Sequence, residues 1–66
     1  MNLELLNAKI EAKGIRKETI ASELGLSLAG LRLKLIGESE FKISEAVKLT
    51  KLLEMTPEEA GTFLFT

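Results

Sequence analysis

The 66-residue chain has no cysteine, no histidine, and no aspartate, glutamine, tryptophan or tyrosine. Without cysteine there is no disulfide framework and no thiol nucleophile, and without either residue no zinc ribbon or imidazole base can be built. All ten acidic side chains are glutamates, and serine and threonine have no imidazole to activate them. The usual acid–base and nucleophilic constellations therefore cannot be assembled, and an enzyme is not expected. No cofactor, metal site or small-molecule substrate is implied either. The chain also lacks an apolar run near the roughly 20 residues that a membrane span requires, and it lacks the layout of a signal peptide. The expectation is a soluble, intracellular protein with no membrane partner. At this length residues 1–66 make a single domain, because a second core would leave neither half viable.

What is present is largely aliphatic. Apolar residues make up 45% of the chain with only three phenylalanines, and charged residues make up 29%. The formal charge is −1, but it is unevenly distributed. Lys9, Lys13, Arg16, Lys17, Arg32 and Lys34 outnumber Glu4, Glu11, Glu18 and Glu23 in residues 1–34, whereas glutamates outnumber lysines in residues 35–66. A polyanion, if one binds, is expected to meet the first half.

Apolar spacing of three and four residues recurs from end to end, and no alternating run is long enough for a strand. This predicts an all-α chain of five short helices. The first covers about Leu3 to Lys13, with Leu3, Leu6 and Ile10 on one face and Gly14 ending it. The second covers about Lys17 to Leu24, burying Ile20, Ala21 and Leu24, and stops at Gly25. Leu26 packs into the joint. Ser27 is a good N-cap for a third helix reaching about Ile36, followed by Gly37. After Glu38-Ser39-Glu40, with Phe41 filling the gap, a fourth helix is expected from about Ile43 to Glu54, turning Ile43, Ala46, Val47, Leu49, Leu52 and Leu53 inward. Thr56-Pro57-Glu58-Glu59 reads as a capping box with proline at the first helical position, opening a fifth helix that ends near Phe65.

Residues of about 17–36 meet the packing demands of a helix-turn-helix: Ala21 lets the second helix approach, Gly25 makes the tight turn, and Leu31 anchors the second helix. The run Lys13-Gly14-Ile15-Arg16-Lys17-Glu18-Thr19-Ile20-Ala21-Ser22-Glu23-Leu24-Gly25-Leu26-Ser27, followed by Leu31 and Gly37, resembles the lambda-repressor-like helix-turn-helix family. Its continuation Arg32-Leu33-Lys34-Leu35-Ile36-Gly37, with Phe41, Glu45 and Phe63-Leu64-Phe65, is similar to small Cro-like regulators of phages of Gram-positive bacteria. The resemblance covers nearly the whole chain. It implies a five-helix domain that binds double-stranded operator DNA in the bacterial cytoplasm as a homodimer, with the third helix in the major groove. It also implies a transcriptional repressor whose dimer forms near the C-terminus, through Leu64 and Phe65. The positions that face the groove in relatives match Ser27, Leu28, Ala29, Arg32 and Leu33. Two departures concern the second helix, where Arg16 stands in place of a usual serine or threonine cap and Lys17 in place of a usual phosphate-touching glutamine.

Each candidate has a plainer reading beside it. Arg32 can hold guanine in a bidentate pair, or it can be an ordinary solvated arginine or a partner of Glu38. Leu28, Ala29 and Leu33 can meet thymine methyl groups, or they can serve packing or a protein partner. Lys17, at a helix N-terminus, suits a phosphate, and Lys34 and Lys42, flanking the third helix, can grip the DNA backbone; the alternative for all three is a solvated surface. Gly30, inside the third helix, weakens it by about 1 kcal/mol relative to alanine. Phe63 is expected in the core, leaving Leu64 or Phe65 for a second copy. The competing functional reading is a protein-binding module on the same fold, such as an antirepressor that docks a partner on the apolar face of the third helix.

Overall fold

Three of the helix stops are glycines and one is not, and this difference shapes the computed structural model, which describes all 66 residues. Five helices follow one another without a strand: α1 (Leu3–Lys13), α2 (Lys17–Leu24), α3 (Leu28–Leu35), α4 (Ile43–Leu52) and α5 (Pro57–Phe65). The molecule measures 29 × 22 × 19 Å. Asn2 caps α1, its Oδ1 accepting the Leu5 N–H at 3.0 Å. Thr56 and Glu59 make the reciprocal bonds of the expected capping box at the start of α5, with lengths of 3.1 and 3.0 Å.

The core is one cluster: Leu6 and Ile10 from α1, Ile20, Ala21 and Leu24 from α2, Leu31 and Leu35 from α3, Phe41, Ala46, Leu49 and Leu53 from the α4 region, and Phe63 from α5. Burying each of the larger side chains contributes about 1.5–3 kcal/mol, the main term available to a domain this small. The α2 helix packs on α3 and α4, while α1 packs on α5. A further bond runs from the Asn2 N–H to the Phe63 carbonyl at 2.8 Å, and Lys9 pairs with Glu59 at 3.0 Å.

The fourth helix differs from the sequence reading in two ways. It ends at Leu52, because Glu54 takes the left-handed conformation at φ +52°, letting the Met55 N–H reach the Thr50 carbonyl at 2.9 Å. Its inward face also runs through Glu45, Ala46, Leu49 and Leu53, so Ile43 is 69% exposed and Val47 is exposed beside it. Glu45 occupies the inner arc because its carboxylate is satisfied there. Its Oε1 accepts the Lys42 N–H at 2.8 Å and lies 3.6 Å from the Lys34 ammonium. An ammonium cannot accept the reciprocal bond, so this helix start has only half a capping box.

Candidate nucleic-acid interface

The joint between α2 and α3 is closed by backbone bonds. Gly25 stands at φ +70°, and the N–H groups of Gly25 and Leu26 bond to the carbonyls of Ser22 and Ala21 at 3.1 and 2.8 Å. This left-handed stop would strain any residue with a Cβ. Leu26 packs against the core, and Ser27 caps α3 by accepting the Gly30 N–H at 3.0 Å. A Cβ at Gly30 would lie 3.1 Å from that Ser27 Oγ. Glycine at this position keeps the cap uncrowded, which gives the helix-weakening residue a local reason.

On α3 the buried stripe is Leu31 and Leu35, while Ala29, Arg32 and Leu33, with Ile36 at the C-cap just beyond them, face solvent. Leu33 is 48% exposed and Ile36 is 70% exposed. Arg32 forms no ion pair, with Glu38 or any other carboxylate. Leu28 is half-buried at the edge between the two faces.

Lys17 opens α2, exposed and without an ion pair. The preceding Arg16 is extended and makes no side-chain cap, so no side chain satisfies the first N–H groups of α2. Lys17 and Arg32 belong to different helices, yet together with Asn7, Leu33, Leu35 and Ile36 they line one open groove of about 450 Å³ between α1, the start of α2 and the outer half of α3. The groove thus combines two unpaired cations, an uncapped helix start and an aliphatic wall. Asn7 was not among the candidates, and nothing in the sequence marks it. Its amide donates to the Leu3 and Leu35 carbonyls at 2.9 and 3.2 Å, tying α1 to the end of α3.

Two other lysines differ sharply. Lys34, expected to grip phosphate, turns back onto the fold. Its ammonium donates to the Glu40 carbonyl at 2.7 Å, lies 3.6 Å from Glu45 and sits 5.9 Å from the centre of the Phe41 ring. Its side chain is only 13% exposed. Lys42 stands at the N-cap position of α4 without a side-chain cap bond; its ammonium is exposed and forms no ion pair, but it is not part of the groove that holds Lys17 and Arg32.

At the other end of the chain Leu64 is half-buried against the core, whereas Phe65 is 87% exposed. Leu64 also lines a second depression, with Met1, Leu3, Lys34, Gly37, Ser39, Glu40 and Phe41. No group of three carboxylates converges to hold a metal ion, and no helix is long and apolar enough to cross a membrane. The two carboxyls with displaced titration lie away from the groove. Lys13 hydrogen-bonds Glu54 at 2.7 Å and holds its carboxyl below the usual range, while the Thr56 N–H and then Lys9 do the same for Glu59. Comparison of the chain with protein-family models, with curated proteins and with solved structures finds no match in any of the three.

Proposed function

We propose that this protein is a sequence-specific DNA-binding regulator of the Cro-like kind, which inserts α3 into the major groove of an operator and acts as a homodimer. One observation carries the reading: Lys17 and Arg32, from the two helices of a helix-turn-helix, stand unpaired in one groove beside the exposed face of α3. Lys17 and the uncapped start of α2 anchor a phosphate, and Arg32 reads a base edge. Ser27 holds the start of α3, and Lys42 meets the backbone outside the groove. Lys34 is left out of the contact set, since its ammonium is engaged within the fold. Phe65 and Leu64 supply the contact with the second copy, which sets two reading helices on successive grooves of a palindromic site. The chemistry requires no cofactor and no catalytic group.

The test is a titration of labelled duplex, drawn from a randomised pool and then from its enriched members, across a range of salt. The slope of log affinity against log salt is expected to steepen by about 0.9 for each phosphate neutralised, and Lys17→Ala removes about one such unit per subunit. Binding that ignores salt refutes the proposal. The exposure of Leu33 and Ile36 in the same groove favours a second reading, in which an apolar partner protein docks on α3. On that reading no duplex is retained at any salt.

A further inference from the structure

The reading face of α3 is short of hydrogen-bonding groups. The Ser27 Oγ accepts from Gly30, the Asn7 amide N–H groups serve the Leu3 and Leu35 carbonyls, and the Lys34 ammonium is taken by Glu40 and Glu45. Arg32 is the one charged group left free on the exposed face, where the Ser27 hydroxyl, at the start of the helix, keeps a single O–H to donate; the neighbours of Arg32 there are Ala29, Leu33 and Ile36. At about 100° and 1.5 Å per residue these four side chains lie within an arc of about 100° and a length of about 10 Å. Arg32 stands near the middle of that length, with Ala29 towards one end and Ile36 at the other. Ten ångströms corresponds to about three base steps at 3.4 Å each.

From this arrangement we infer that each half-site read by α3 has a guanine at its centre, flanked by thymines whose methyl groups meet Ala29, Leu33 and Ile36. The inference rests on the DNA-binding reading above and specifies what that binding selects. Guanine follows from the guanidinium, whose fork matches the O6 and N7 acceptors. Thymine follows from a penalty as well as an attraction. An aliphatic side chain pressed on adenine, cytosine or guanine strips water from a polar edge and offers no partner, whereas at thymine it covers a methyl group. Specificity is then carried largely by apolar contacts around one charged reader.

The test uses the full chain and a duplex enriched from a randomised pool, measured by fluorescence anisotropy. Replacing the flanking thymines with uracil removes only the methyl groups, and it should weaken binding about fourfold per methyl. Uracil outside the half-site should have no effect. Replacing the central guanine with 7-deazaguanine removes N7 and should weaken binding at least about fivefold. In Leu33→Ala, whose circular dichroism spectrum should match the parent because Leu33 is not in the core, the thymine–uracil difference at its position should shrink towards unity. Equal affinity for thymine and uracil duplexes, with salt-dependent binding intact, overturns this inference and leaves DNA binding standing. Failure to bind any duplex overturns both.

Discussion

Replacing Lys34 separates a lysine that holds DNA from one that holds the fold. In Lys34→Ala three contacts disappear together: the bond to the Glu40 carbonyl at 2.7 Å, the pairing with Glu45 at 3.6 Å and the cover over the Phe41 ring. The pair's side chains are 13% and 10% exposed, so solvent screens it little, yet Glu45 keeps its bond from the Lys42 N–H and is not abandoned. The cost therefore falls between that of an exposed pair, about 0–1 kcal/mol, and that of a broken buried pair, about 3–5 kcal/mol. A value of about 2 kcal/mol corresponds to a fall in Tm of roughly 8–16 °C for a domain of this size. Lys34→Met retains the stem packed on Phe41 and should lose about half as much. Thermal melts followed by circular dichroism, repeated at high salt, check the magnitude. Duplex titrations at a temperature where the variant is folded should give the parent's salt slope. An unchanged Tm with a slope reduced by about 0.9 would refute this account and return Lys34 to a phosphate.

Two further outcomes follow from the glutamates. Glu54 adopts φ +52°, which costs a residue with a Cβ roughly 1 kcal/mol, while its exposed pair with Lys13 is worth little once salt screens it; Glu54→Gly should raise Tm at high salt, as melts at two salt concentrations will register. The carboxyls of Glu54 and Glu59 are held below the usual range of about 4.3, so the unfolded chain takes up protons first: their contribution is complete above that value and lost as pH falls through it towards the lowered folded values. Urea unfolding between about pH 6 and pH 3 should show this acid loss, smaller in Glu54→Gln and Glu59→Gln.

The helix boundaries were legible where side-chain chemistry marks them. Gly14, Gly25 and the Thr56-Pro57 start each have a mechanism that sequence displays, and α1, α2 and α5 begin and end as expected. The end of α4 was hidden because Glu54 does what glycine usually does, and no local signal announces a glutamate in the left-handed region. The inward face of α4 was hidden for a different reason. Its apolar residues extend round more than half of the helix, so periodicity admits several orientations. The face observed buries Ala46, Leu49 and Leu53 and sets Glu45 beside Lys34, contacts between helices that lie beyond any pattern within one. The partners of Lys34 were hidden in the same way, since a lysine in the last turn of α3 reads as solvated or as a phosphate grip until Glu40 and Glu45 are placed beside it. Lys17 and Arg32 were readable as candidates, but only the fold brings them to a common groove.

The exposed face of α3 owes its placement to contacts made by the rest of that helix. Eight residues with an internal glycine are too short and too weak to hold a helix in water, where isolated helices of fewer than about 12–15 residues are marginal. Tertiary ties take over at each end. Ser27 fixes the first turn, and Leu31 and Leu35 are buried beneath it. At the far end Asn7 bonds to the Leu35 carbonyl, Lys34 reaches Glu40 and Glu45, and the Glu38 N–H returns to the Leu33 carbonyl at 3.0 Å. None of these ties uses the side chains of Ala29, Arg32, Leu33 or Ile36. The backbone that presents those four is therefore held by contacts of the fold itself, and none of the four side chains is needed to keep it in place. Substitutions among the four therefore leave the groups that hold α3 in place unchanged, so an effect of such a substitution on duplex binding would report on the face itself and not on the fold.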